Sequence, residues 1–242
     1  IGLINPNLRW KIDKEIPFRV KGKTITKVYR RAKYIVMELG ENQIIIHLGM
    51  TGLFRRMTDN EKFKKHDHFY VKLSDKMTFV YNDVRKFGSL HWTNNIEEHF
   101  LIKDLGVEPL SRSFNKKYLF SKTRSRTTQI KNLIMNQRIV VGVGNIYACE
   151  ALYLSSIKPS RTSSSLTESE CSKLTGAIKK VLRKAISFGG TSIRDFKTLD
   201  GSSGYFNNRL SIYGLKNCKC GLSVKNVKIS NRSSYYCSVC QK

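Results

Sequence analysis

The sequence predicts an α+β protein with a β-rich N-terminal half, a helical second half and a small cysteine-bearing hairpin at the end. Three observations carry this. Up to about residue 100 the apolar residues come in short β-branched and aromatic runs, and from Asn115 onward their period becomes helical. Four of the six cysteines lie within the last 25 residues.

The predicted strands are Val28 to Arg30, Tyr34 to Leu39, Gln43 to Leu48, Phe69 to Leu73 and Thr78 to Tyr81. Turn formers such as Gly40-Glu41-Asn42 and Ser74-Asp75-Lys76 separate them, and short strands at this spacing imply a sandwich or barrel-like sheet. Ile44-Ile45-Ile46 is unbroken and apolar, which places that strand between two layers. In the helical half, Thr167-Glu168-Ser169-Glu170 reads as a capping box, with Leu166 placed to staple onto Cys171 and Gly189-Gly190 ending the helix. The opposite face of that helix holds Lys179, Lys180, Arg183 and Lys184, which suit either solvent or phosphate.

Charge narrows the function classes. Lys and Arg number 44 against 18 Asp and Glu, a formal net charge of +26, which calls for a polyanionic partner and argues against an enzyme of small metabolites. No run approaches the roughly 18 to 20 apolar residues of a membrane span, and no signal-peptide pattern opens the chain. Clustering of Cys218, Cys220, Cys237 and Cys240 suggests a metal site in a reducing compartment, whereas a disulfide framework spreads its cysteines.

The strongest local signal is Gln137 to Ala148, with the core Gly142-Val143-Gly144-Asn145. Two glycines permit a tight turn, Asn145 suits a helix cap, and the exposed N–H groups of a helix start seat phosphate. A plain helical corner with an Asn cap has the same signature.

This run, together with Arg30 to Tyr34, His47 to Gly52, Lys65 to His68, Asp83 to Gly88 and Tyr236 to Lys242, resembles the formamidopyrimidine-DNA glycosylase family of base-excision enzymes. The motifs are collinear and cover nearly the whole chain. The resemblance implies a β-sandwich over 1–108, a helix-two-turn-helix domain over 109–209 and a zinc-binding hairpin over 210–242. It also implies a monomer that acts on double-stranded DNA carrying oxidised purines or abasic sites, in the cytoplasm of a bacterium and close to its nucleoid. The activity it implies is a glycosylase that removes 8-oxoguanine or formamidopyrimidines, joined to a lyase that nicks by β,δ-elimination.

Site residues follow from the same resemblance. Lys33 matches a proton donor at the abasic sugar, a role that its neighbours Arg30 and Arg31 favour by disfavouring its charge, with a surface phosphate contact the other reading. Met50, Arg85 and Phe87 match the side chains that fill the gap left by an extruded nucleotide; in strand-rich sequence, Met50 and Phe87 would otherwise be core. His66, Arg85, Arg126, Lys131 and Asn145 match contacts to the DNA backbone, and Arg232 matches a hairpin arginine that grips phosphate during δ-elimination. Tyr205 lies in Asp200 to Phe206, which resembles the loop that caps an extruded purine. His66-Asp67-His68 also admits a metal reading if its histidines share one face of a strand.

Beyond the milder departures of Val84 for the family's proline and Lys86 for its arginine, the chain differs from the family in two places that touch the chemistry. The family's first cysteine pair has two intervening residues, while only Lys219 separates Cys218 from Cys220, so the usual turn with its N–H···S bonds is not expected there. One Zn²⁺ on the four cysteines remains the expectation, with free thiols the other outcome. The family's nucleophilic proline and the glutamate after it are not in this sequence, so the chain reads as a fragment whose first helix lies upstream. The alternative is a damaged-DNA-binding protein without glycosylase activity, and a third reading is a basic zinc-hairpin protein with general nucleic-acid affinity.

Overall fold

Turn chemistry sets the first sheet. In the computed structural model, which describes residues 1–58, 60–190 and 209–242, Arg31 pairs with Tyr34 across a two-residue turn whose first member, Ala32, has φ 53°. That left-handed first residue matches the right-handed twist of the strands it joins. The turn links β2 (Lys27–Arg31) to β3 (Tyr34–Leu39), and Gly40 at φ 71° turns the chain into β4 (Asn42–His47). With β8 (Ser89–Thr93) they form an antiparallel sheet in the order β2-β3-β4-β8.

The second sheet runs β1-β6-β7-β5, from β1 (Gly2–Leu3), β5 (Leu53–Met57), β6 (Asp67–Lys72) and β7 (Thr78–Asn82). Leu39, Ile44, Ile46 and Leu90 of the first sheet share one core with Phe69, Val71 and Tyr81 of the second, closed by Ile16 and Val20 of a short helix α1 (Ile16–Val20). This is a sandwich. Ile44, Ile45 and Ile46 are all fully buried, as their unbroken apolar run predicts. Each such side chain contributes roughly 1.5 to 3 kcal/mol by leaving water.

The predicted strands match β2, β3, β4, β6 and β7. Sequence patterning misses the two-residue β1, and it misses β5 and β8 because Leu53–Met57 carries two arginines and Ser89–Thr93 a histidine, which blur the alternation.

Residues Ile1–Lys103 form one compact unit, and Asp104–Gly190 with the segment from Arg209 onward belong to another. The second unit holds α2 (Lys116–Arg124), α3 (Ile130–Met135), α4 (Asn145–Leu154) and α5 (Glu168–Ser187), followed by a hairpin of β9 (Lys225–Ile229) and β10 (Arg232–Tyr236). Asn115 caps α2 by accepting from the Tyr118 N–H at 3.0 Å. Gly142, at φ 79°, lies in the corner between α3 and α4. Leu133, Ile134, Ala148, Leu152, Leu174 and Ile178 meet in the core of the bundle.

The capping box of α5 forms as predicted, and both staple residues, Leu166 and Cys171, are buried. Arg161 reinforces it by gripping both Glu170 oxygens, at 2.5 and 3.0 Å. That guanidinium, helped by Thr167, holds the Glu170 carboxyl down to about 2. A depressed carboxylate contributes stability above its unfolded value of 4.5 and loses it as pH falls toward 2. Because the pair is about a quarter exposed, the contribution at neutral pH is about 1 to 2 kcal/mol. Glu170→Gln is therefore expected to flatten the acid limb between pH 4.5 and 2, checked by urea unfolding across that window.

Candidate nucleic-acid interface and metal centre

In the sandwich unit, two loops carry the residues expected to fill a vacated base position. Met50 is 63% exposed and Phe87 38% exposed, which excludes the core reading for both. Arg85 is exposed too, with its guanidinium 4.9 Å from the centre of the Phe87 ring. The His47 Nδ1 accepts from the Gly49 N–H at 3.1 Å, and the two loops meet where a Cβ on Gly49 would lie 2.7 Å from the Phe87 carbonyl carbon. Burial lowers the His47 pKa, with Lys33 and Arg9 pushing the same way. Lys33 stands exposed at the β2–β3 turn.

The His66-Asp67-His68 segment does not place two histidines on one strand face. β6 begins at Asp67, and its register shifts between Asp67 and Phe69. His68 is buried, its ring nitrogens 3.0 and 2.9 Å from the Asn5 and Asp83 carbonyls. Asp67 is buried against Arg55, Asn82 and the Lys64 N–H. The metal reading therefore fails, while His66 sits half-buried just ahead of the strand.

In the helical unit, two expectations need correction. Asn145 does not cap α4: Gly144 holds the cap position without a side-chain bond, and Asn145 is the first helical residue. Its side chain instead accepts from Lys131 Nζ at 2.6 Å and donates to the Ser233 carbonyl at 3.0 Å and the Tyr213 hydroxyl at 3.2 Å. Lys131 does not reach outward to phosphate either. It is 1% exposed, and its ammonium also donates to Ser233 O at 3.1 Å and Ser234 Oγ at 2.5 Å. A charge this deeply buried needs such acceptors, and desolvation lowers its pKa. Its role is to tie α3, α4 and the hairpin together.

Arg232 opens β10 directly after the turn Ser230-Asn231, whose φ values of 46° and 60° define a type I′ hairpin, and it is exposed. Arg126, exposed after α2, joins it on this unit. Glu150, to which sequence reasoning assigned no role, is 2% exposed and accepts the N–H groups of Ser211, Ile212 and Tyr213 at 2.7, 2.9 and 2.9 Å. It thereby sets Tyr213 beside Asn145. Tyr205 and the loop around it lie outside the described residues.

The Sγ atoms of Cys218, Cys220, Cys237 and Cys240 all lie within 4.8 Å of one another, with Cys218···Cys240 at 3.8 Å and Cys220···Cys237 at 3.6 Å. Tetrahedral zinc with bonds of about 2.3 Å sets its sulfurs about 3.8 Å apart, so the four thiols fit such an ion. The Cys220 backbone and the Tyr153 hydroxyl, 3.2 Å from Cys218 Sγ, favour the Cys218 thiolate and lower its pKa to about 6. The turn of this short first pair closes through Gly221 N to Cys218 O at 2.9 Å.

Sandwich, two-turn helical corner and four-thiol hairpin together define the helix-two-turn-helix class of DNA-binding proteins. Residues 3–90 match the formamidopyrimidine-DNA glycosylase N-terminal domain, and residues 105–197 match the H2TH domain of the same enzymes. The chain belongs to the formamidopyrimidine-DNA glycosylase family. It is 46% identical to the formamidopyrimidine-DNA glycosylase of Hydrogenovibrio crunogenus, covering 98% of this chain and 86% of that one. Identity to the Actinobacillus pleuropneumoniae protein of that name is 45%, over 97% and 87% of the two chains. Among solved structures, wild-type Lactococcus lactis Fpg (MutM) bound to N7-benzyl-Fapy-dG DNA superposes with a TM-score of 0.87 at 34% identity, covering 100% of this chain and 93% of that one. MutM with carbocyclic 8-oxo-G DNA gives 0.86 at 36%, over 95% and 86%. No helix among the described residues is long and apolar enough to cross a membrane.

Proposed function

We propose that this chain takes part in base-excision repair as the DNA-binding body of a glycosylase and abasic-site lyase that acts on oxidised purines in double-stranded DNA and nicks by β,δ-elimination. The observation that carries it is the exposed trio Met50, Arg85 and Phe87 on two loops that pack against each other at Gly49 and Phe87. An exposed ring with a guanidinium 4.9 Å from its centre, beside a loop that exposes a thioether, is suited to entering a nucleic-acid partner. Phe wedges between stacked bases, Met fills an irregular void, and Arg bonds the orphaned base. Related structures hold Fapy-dG, 8-oxo-G and THF-containing DNA, which supports lesion-bearing duplex as the ligand.

Lys33 is assigned proton donation at the abasic sugar. His66, Arg85 and Arg126 take the DNA backbone, and Asn145, its side chain held by Lys131, Ser233 and Tyr213, offers it the start of α4. Arg232 grips phosphate from the hairpin. Zinc on the four cysteines would hold that hairpin in shape. The protein works as a monomer in the bacterial cytoplasm.

A duplex with a single 8-oxoguanine tests the reading. A one-nucleotide gap with phosphate on both ends supports it, whereas tight binding without strand loss makes the protein a damaged-DNA binder. Equal affinity for intact and damaged duplex rules out both. Phe87→Ala is expected to weaken binding to an abasic-analogue duplex about tenfold or more while leaving single-strand binding within about twofold, since base–aromatic stacking is worth about 1 to 3 kcal/mol. Fluorescence titration at fixed salt checks it, and equal losses on both ligands would count against the wedge.

A further inference from the structure

We infer that Thr51 and Asp83, braced by Tyr81, are positioning residues that set the register of the Met50 loop against the Arg85–Phe87 loop, an inference that rests on the function proposed above. Asp83 is fully buried directly behind the exposed Arg85 and Phe87. Its Oδ1 accepts from the Thr51 hydroxyl at 2.6 Å and the Arg85 N–H at 3.2 Å. Its Oδ2 accepts from the Gly88 N–H at 2.8 Å and lies 3.2 Å from the Tyr81 hydroxyl. One carboxylate therefore holds both ends of the wedge loop and, through Thr51, the neighbouring loop that carries Met50.

Tyr81 works from beneath. Its hydroxyl reaches the Leu48 carbonyl at 3.0 Å, so it touches the start of the Met50 loop as well as Asp83. A Cβ on Gly52 or Gly88 would overlap that hydroxyl at 2.2 and 1.7 Å, so both loops need glycine to close over it. A Cβ on Gly49 would meet the Gly88 nitrogen and the Phe87 carbonyl carbon at 2.7 Å, so the two backbones are in direct contact. Within the wedge loop, Lys86 is held at φ 58°, a left-handed conformation that costs a non-glycine residue energy and persists only where its surroundings enforce it.

Void filling needs three side chains from two loops to arrive as one object. The Thr51–Asp83 bond spans 32 residues and is shielded from water, where a charge-assisted hydrogen bond is strong and shapes geometry, and the same hydroxyl also accepts from the Arg85 N–H at 3.2 Å. Losing it lets each loop keep its own fold while their mutual register drifts.

Thr51→Val removes the hydroxyl at nearly constant shape, and Thr51→Ser restores it. Two measurements decide. Without DNA, amide exchange at Arg85 and Gly88 is expected to speed at least tenfold in Thr51→Val, with β6 and β7 unchanged and Thr51→Ser close to the parent. With DNA, the ratio of affinities for abasic-analogue over intact duplex is expected to fall about tenfold in Thr51→Val, with intact-duplex affinity preserved, and to recover in Thr51→Ser. Unchanged exchange overturns the positioning role whatever the DNA result. A fall in thermal stability with the affinity ratio intact overturns it as well, reducing Thr51 to a packing residue. If the parent protein shows no preference for the abasic duplex, the proposed function itself fails, and that is visible before any variant is made.

Discussion

Glu150→Ala is expected to lower the unfolding free energy of the helical unit by about 3 to 5 kcal/mol, because it strands three buried or half-buried backbone donors at once. The carboxylate accepts from Ser211, Ile212 and Tyr213, and Ile212 is fully buried in a small cluster with Cys149, Cys218 and Cys237. Alanine leaves those N–H groups without acceptors in a place water reaches poorly, and each costs about 1 to 3 kcal/mol. Glu150→Gln should fall between, since one amide oxygen can still accept from Ile212 and Tyr213 while its NH₂ meets the Ser211 donor. The same loss frees Tyr213 from Asn145, so affinity for an abasic-analogue duplex should drop beyond what stability explains. Urea unfolding with a parallel binding titration checks both. A stability loss under 1 kcal/mol would show that the carboxylate does not anchor the segment.

Removing the metal proposed for the four cysteines has the second large effect. Structural zinc in finger peptides supplies roughly 10 to 16 kcal/mol of folding free energy at neutral pH. A chelator is therefore expected to release one Zn²⁺ per chain and to disorder the turn at Cys218-Lys219-Cys220. It should also weaken DNA binding, lowering the salt slope by about one phosphate contact as Arg232 loses its support. The hairpin should not melt entirely. Lys131 holds Ser233 and Ser234, and Gln241 donates to Ile157 O at 2.9 Å while accepting from Cys237 N at 2.9 Å. Metal analysis of the purified protein with titration at two salt concentrations tests this. Four reactive thiols and no metal before chelation would leave the short cysteine pair without its proposed ion.

What the amino-acid order determined by itself are the features encoded within a few residues. The Thr167–Glu170 box, the Gly40 turn, the Ile44–Ile46 layer and the pairing of Cys237 with Cys240 are readable because donor, acceptor or ligand sits within one turn of its partner. Motif order likewise placed Met50, Arg85, Phe87 and Arg232, all of which the fold leaves exposed. Tertiary structure alone decided the buried polar partners. Lys131 meets Ser233 across 102 residues, Glu150 meets Ile212 across 62 and Thr51 meets Asp83 across 32. A lysine in sequence reads as a surface cation because that is where most lysines lie, and an Asn after glycine reads as a cap. Only folding shows that the lysine's charge is desolvated and shared among hairpin acceptors, and that the asparagine spends its side chain on that lysine. Burial makes such bonds strong, and their distance along the chain leaves no local pattern that could announce them.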